Sequence, residues 1–226
     1  GREAIGIGHQ YAFGSNTPMT GDTPLSRLLM AQFAPVDLEV GLHWAPFDDS
    51  ILPPILDLPD IDPDDIKDHI LVYLPFEEQD KTTQWLQQFS DRQFIQYSNQ
   101  IIDGEHGNVQ RRKANVHGFK ADLAASRAVI CNTGFELISE CLQWRKPVLT
   151  RPLAKQMEQL SNAAALEQLG YAKTMQSLNT KKARAWLDDI PEAPEIRFNN
   201  VAMALAEWLA RGAQKPVKEL SQSLWQ

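Results

Sequence analysis

Residues 128–170 read AVICNTGFELISECLQWRKPVLTRPLAKQMEQLSNAAALEQLG, and the order of apolar runs, turns and helical stripes within them decides the fold. Ala128–Cys131 is a short apolar run suited to a parallel strand buried on both faces. Asn132, Thr133 and Gly134 then suit a sharp turn and a helix cap. The next helix carries Leu137, Ile138, Cys141 and Leu142 on one face, and Glu136, Glu140 and Gln143 on the other. A second strand, Pro147–Thr150, runs into Arg151-Pro152-Leu153, and a second helix begins near Gln156 and stops at Gly170, a plausible C′ residue. Strand, turn, helix, strand, loop, helix is the repeating unit of a doubly wound parallel sheet, which binds ligands where strands cross into helices.

Each crossing carries chemistry. Gly134 permits a close backbone approach, and the free N–H groups of the following helix, with its macrodipole, form a seat for a phosphate. Glu140, turned away from the core, can accept two hydrogen bonds from vicinal hydroxyls such as those of a ribose. On an arbitrary helix Glu136 and Glu140 would be a solvated face. The Asn-Thr-Gly turn before them, and Gln156, Gln159 and Asn162 facing the same crevice after them, favour a nucleotide site instead.

Together, NTGFELISE, then KPVL, a proline and EQLSNAAALEQLGYA resemble the donor-binding half of glycosyltransferases built from two facing Rossmann-like domains, the GT-B fold. The nearest shape is the lipid II N-acetylglucosaminyltransferase group and its uncharacterised bacterial and archaeal relatives, over roughly residues 66–175. The resemblance implies a UDP-sugar donor. It gives the diphosphate to the loop of Asn132, Thr133, Gly134 and Phe135, the ribose to Glu140 with Glu136 beside it, and the sugar to Gln156, Gln159 and Asn162. At the upstream crossing, Asn115-Val116-His117-Gly118-Phe119 before a helix Lys120–Ser126, it gives main-chain contacts with uracil to Gly118 and Phe119. One departure stands out: the first loop of this domain reads Pro75-Phe76-Glu77-Glu78, where the lipid II enzyme has a glycine-rich turn. Two carboxylates would repel a diphosphate, so that loop stays back or contacts something else.

The remainder of the chain sets bounds. It has 226 residues, 43% of them hydrophobic, and a net charge of −7, enough for a sound core and adverse to a general nucleic-acid surface. Arg111-Arg112-Lys113 are candidate steering groups for an anionic donor. The two cysteines, Cys131 and Cys141, fall on apolar positions and are read as packing residues rather than a disulfide, which fits a reducing cytoplasm. No apolar run reaches the ~20 residues of a membrane span, so membrane contact is expected only at the periphery, through an acceptor lobe.

The twelve residues 57–68, DLPDIDPDDIKD, hold six aspartates and two prolines and read as a solvated linker. The domain boundary is placed there: residues 1–60 as the remnant of an acceptor-side domain, in a chain that starts in mid-fold, and 61–226 as the donor domain. Beyond the linker a strand is expected at 69–74, a helix at 82–90, a strand at 93–97, a polar connection through Arg112, and a late amphipathic helix, Arg197–Arg211; the resemblance implies that this last helix ties the lobes together.

Asp60-Ile61-Asp62 and Asp62-Pro63-Asp64 have the spacing of metal-dependent transferases, but a proline-broken acidic linker is their simpler reading, and no metal or other cofactor is expected. His9, in a loop after the strand Ala4–Gly8, is a candidate base toward an acceptor hydroxyl; a hydrogen bond between domains is the preferred reading. Met157, Trp144 and Trp208 read as packing rather than as a sugar platform. Absence of Gly-x-Gly-x-x-Gly, of a Gly-Lys-Ser/Thr loop and of Gly-x-Ser-x-Gly removes the main support for dehydrogenase, kinase and esterase readings. A nucleotide-sugar epimerase or hydrolase of the same architecture, and a non-catalytic nucleotide-sugar binding module, remain as alternatives to a transferase.

Overall fold

The computed structural model describes residues 3–13, 16–21, 35–63 and 65–226. Two sheets result. In the first, β1 (Ile5–Gly8), β2 (Leu38–Leu42) and β3 (Ile51–Leu52) run parallel in the order β1-β2-β3. A 3₁₀ turn, His9–Ala12, follows β1 directly. Asp64, the last residue of the second Asp-x-Asp spacing, lies outside the described residues.

The second sheet has seven strands: β4 (Ile70–Tyr73), β5 (Phe94–Ser98), β6 (Gly104–His106), β7 (Val109–Lys113), β8 (Ala128–Asn132), β9 (Val148–Arg151) and β10 (Lys173–Thr174). Their order is β10-β9-β8-β4-β5-β7-β6, parallel throughout except that β6 runs antiparallel to β7. The chain winds outward from β4 through β5 to β7, returns to β8 on the other side of β4, and winds outward again. The doubly wound parallel sheet is therefore present, with its switch point between β4 and β8.

Alternation along these strands builds two cores. Leu71, Val129 and Cys131 face one way, onto α2 (Val116–Ala125), α3 (Phe135–Gln143) and α4 (Met157–Leu169) through Leu123, Ile138, Cys141 and Leu166. Ile70, Val72 and Ile130 face the other way, onto α1 (Gln79–Gln87) and α5 (Thr180–Asp188) through Trp85, Leu86 and Trp186. Burial of this kind is the main driving force for the layers. Cys131 and Cys141 are free and buried in the first core; burial pushes the Cys131 thiol up to about 12, so they serve as small hydrophobes. Trp144 and Trp208 are likewise buried.

α6 (Val201–Ala210) and α7 (Val217–Leu224) pack on the first sheet, with Val201, Leu205, Trp208 and Leu224 against Val40, Leu42 and Leu52. The late amphipathic helix thus buries its apolar side on the first sheet. Residues 53–69 contain no helix or strand among those described, and the buried amine of Lys146 pins this acidic segment by donating to the Pro63 carbonyl at 2.7 Å.

Several boundaries differ from expectation for local reasons. The helix expected at 82–90 starts three residues earlier because Glu78 caps it, accepting from the N–H groups of Asp80 and Lys81. The helix expected at Lys120–Ser126 starts at Val116 because Asn115 caps it through the Gly118 N–H at 2.7 Å. The polar connection through Arg112 is the β6–β7 hairpin, turning at Gly107 with a φ of +66°.

Candidate functional site

The carboxyl ends of β4, β5 and β8 open on a crevice of two adjoining cavities, about 420 and 650 Å³. Val116 and Lys120 of α2 and Glu136 and Glu140 of α3 line both. Tyr73, Asn99 and Phe119 complete the smaller one, and Ile55, Asp57 and His117 stand among the residues of the larger. Val116, 71% exposed, and Ile55, 44% exposed, offer apolar surface at the mouth.

α3 begins where the sequence places the anion seat. Gly134 is its N-cap at φ −75° and ψ 139°, and no side chain caps this end. The first-turn N–H groups thus remain directed out of the helix. A Cβ at Gly134 would meet nothing within 4 Å, so glycine serves here by leaving the approach clear rather than by adopting an unusual backbone.

The side chains around this turn divide into scaffold and surface. Thr133 is fully buried; its hydroxyl meets that of Thr150 at 2.7 Å and its N–H donates to Gln159 Oε1 at 3.3 Å. Gln159 Oε1 also accepts from Leu153 N–H at 3.1 Å, and Asn162 Nδ2 donates to the Thr133 carbonyl at 3.2 Å. Thr133, Gln159 and Asn162, expected to touch diphosphate and sugar, instead hold the loop from behind. Their polar groups are buried, and burial requires that they satisfy each other. Asn132 donates to the Arg151 carbonyl at 2.9 Å, while its Oδ1 is buried without a protein partner. Gln156 is exposed at the N-cap of α4 and makes no side-chain cap.

Gly118 and Phe119 do not offer the free main-chain groups expected of a base site. The Gly118 N–H is taken by Asn115 Oδ1 and the Phe119 N–H donates to the Asn115 carbonyl at 3.0 Å, because both lie in the first turn of α2. The Phe119 ring instead packs edge-on against Tyr73 and Tyr97 and lines the smaller cavity.

Glu140 stands in the crevice wall in an ion pair with Lys120, the two side chains being 14% and 18% exposed. Burial raises the Glu140 pKa, the neighbouring carboxylates of Glu136 and Asp57 add to the rise, and Lys120 opposes it. Glu136 is exposed beside it. Glu158, on the first turn of α4, is also raised by burial and by Glu136. Acidic groups thus outnumber cations around the crevice.

Three arginines are already engaged. Arg151 pairs with Glu77, Arg111 with Asp80 at 2.8 Å, and Arg112 with Asp122. Glu77 and Glu78 therefore do contact something else: an arginine and a helix terminus. Of the expected steering groups Arg111-Arg112-Lys113, the two arginines are held in ion pairs within the fold, while Lys113 is exposed. Lys120, Tyr73 and the 55–61 segment escaped the sequence reading. Lys120 had a signal: it follows Val116 and Phe119 and precedes Leu123 at helical spacing, a lysine on an otherwise apolar stripe.

His9 lies where the lobes meet. Its Nδ1 is 2.8 Å from the Leu42 carbonyl oxygen and its Nε2 is 2.8 Å from Asn162 Oδ1, and its ring stacks on Phe135 at 3.9 Å. Burial lowers its pKa against both hydrogen bonds. His43 and Trp44 complete this aromatic cluster, Trp44 Nε1 donating to Ser139 Oγ at 2.8 Å. The interdomain reading of His9 matches this geometry. Among the described residues no three His, Cys, Asp or Glu side chains gather in a group that could hold a metal ion, and no helix is long and apolar enough to cross a membrane.

Comparison with known proteins adds a family. The model of Glycosyl transferase family 1 matches residues 47–191, more than half of the chain. No match is found among curated protein sequences. Among solved structures the chain is similar to the glycosyltransferase SnogD from Streptomyces nogalater, at 16% identity and a TM-score of 0.46, covering 88% of this chain and 60% of that one. It is similar to the glycosyltransferase SsfS6 from Streptomyces sp. SF2575 at 14% identity and 0.47, covering 88% and 51%. ALG13, at 12% identity and 0.43, is covered over 95% of its length by 64% of this chain. The chain thus spans between half and two thirds of SnogD and SsfS6.

Proposed function

The chain belongs to Glycosyl transferase family 1, and on that premise we propose that it is the donor side of a metal-independent glycosyltransferase that takes a UDP-linked sugar. The observation that carries this reading is the uncapped start of α3, with Glu140 in the crevice wall about 8 Å further along the helix. A nucleoside diphosphate has this arrangement of needs: a pair of ribose hydroxyls at one point and a dianion one helical turn or two away.

In this reading the base enters between Val116 and Ile55, the ribose meets Glu140, and the diphosphate rests on the first-turn N–H groups of α3. As the glycosidic bond breaks, charge grows on the departing diphosphate, and the helix terminus stabilises it more in the transition state than in the ground state. Residues 1–60 would contribute to the acceptor side and 61–226 to the donor side. The buried thiols and the lack of a spanning helix among the described residues fit a cytoplasmic enzyme that meets its acceptor in solution or at a membrane surface.

A thermal-shift panel of UDP, UDP-GlcNAc, UDP-glucose, GDP, CMP and ADP tests the proposal. Ligand at ~100 times its dissociation constant adds about 2.7 kcal/mol to the bound fold. Selective stabilisation by uridine compounds, reduced in a folded Glu140→Ala variant, is the expected result. Glu140→Ala binding UDP as tightly as the parent would remove the ribose assignment.

A further inference from the structure

The pair formed by Lys120 and Glu140 sits in the wall shared by both cavities, with each side chain more than four-fifths buried. Lys120 reaches across from α2 and engages Oε1 of Glu140, so the second carboxylate oxygen is the one left to receive a ligand. Among the described residues the other ionisable groups around Glu140 are Glu136 on its own helix, Asp57 from the 55–61 segment, His117 beside Lys120 in the larger cavity, and the phenol of Tyr73 on β4 in the smaller one. Two of these are carboxylates that work against the negative charge on Glu140.

We infer that Lys120 is a positioning residue for ribose recognition: it fixes the Glu140 carboxylate so that its free oxygen meets the vicinal hydroxyls, and thereby makes the site select ribonucleotides over 2′-deoxyribonucleotides. The inference rests on the nucleotide reading above. An ionised carboxylate only accepts hydrogen bonds, and each hydroxyl of a vicinal diol has an O–H to donate to it. Without Lys120, a largely buried Glu140 beside Glu136 and Asp57 holds its proton to higher pH. A protonated carboxyl turns one acceptor into a donor and misaligns the pair. Lys120 acts through Glu140 and contacts no phosphate.

Calorimetric affinities for uridine, UDP and 2′-deoxy-UDP, measured from pH 6 to 9, test this. The parent protein should prefer UDP to 2′-deoxy-UDP by about tenfold, the scale of one charge-assisted hydrogen bond, with little pH dependence. Lys120→Met should lose that preference at pH 6, weaken uridine and UDP by the same factor, and recover toward pH 9. Lys120→Arg should behave as the parent. Weakening of UDP but not of uridine in Lys120→Met would show a phosphate contact and overturn the inference, as would equal loss for UDP and 2′-deoxy-UDP at every pH. Should Lys120→Met not fold, Glu140→Gln decides: persistence of the ribose preference in that variant refutes the scheme. Failure of the parent to bind any of the three compounds removes the nucleotide reading itself, and this inference with it.

Discussion

His43 should make the stability of this protein depend steeply on acid, and His43→Asn should remove that dependence. The ring is wholly buried. Its Nδ1 accepts the Trp44 N–H at 2.8 Å, so in the neutral ring the proton resides on Nε2, which has no hydrogen-bond partner among the described residues. Burial, helped by the charge of His9, lowers its pKa to about 2. The folded protein therefore keeps His43 neutral where the unfolded chain, with a pKa near 6.5, takes up a proton. The stabilisation is complete above that value and is lost as pH falls below it. Between pH 7 and pH 5 the loss from this residue is about 2 kcal/mol. In His43→Asn the side-chain oxygen replaces Nδ1 as acceptor for Trp44, and nothing titrates in its place. The variant should be weaker at pH 7 by roughly 1–3 kcal/mol, since it leaves space among His9, Trp44, Phe47 and Phe135. Its further loss down to pH 5 should be smaller than the parent's by about 2 kcal/mol. Urea titrations at pH 7, 6 and 5, followed by tryptophan fluorescence, measure both. His9, also lowered by burial, titrates in both proteins and drops out of the difference. Parallel loss in parent and variant would refute the reasoning.

Two further substitutions separate seat from scaffold. Gly134→Ala places a methyl in open space at an ordinary backbone conformation; stability should be unchanged or rise by about 0.5 kcal/mol, while calorimetry should show UDP affinity falling roughly tenfold as the methyl crowds the amide groups. Asn162→Ala strands both the Thr133 carbonyl and a ring nitrogen of His9; urea denaturation should show a loss of about 2–4 kcal/mol, and a loss under 1 kcal/mol would mean that water replaces both bonds.

The parallel sheet was legible because residues 128–170 carry two complete strand-helix units with apolar runs too short for helices and stripes too regular for strands. β8, α3, β9 and α4 fall within a residue or two of their expected places. β7 was not legible: Val109 is its one fully buried residue, so its ladder is set by pairing with β5 rather than by its own pattern. At the site, sequence identified which residues converge but not which way they turn. Gln159 and Asn162 converge on the Thr133 loop as expected, yet Gln159 Oε1 and Asn162 Nδ2 are engaged by its backbone. Polar side chains near a crevice face either ligand or backbone, and only the count of buried donors and acceptors decides between them. Glu140 was found from its helix position, but its partner Lys120 comes from another element, and pairing across elements leaves no spacing in the chain.

The polypeptide passes between the lobes twice, once through residues 53–69 and again through the stretch before α6. Both passages are tied to the same end of α3: Lys146, just beyond it, holds Pro63, and Gln143, its last residue, accepts the Phe198 N–H at 2.8 Å. Two attachment points so near each other act like the pin of a door. A swing of one lobe against the other would leave that end of the helix nearly still and carry the largest displacement to the opposite end, some 13 Å away, where Phe135 meets His9 and Gly134 faces open space.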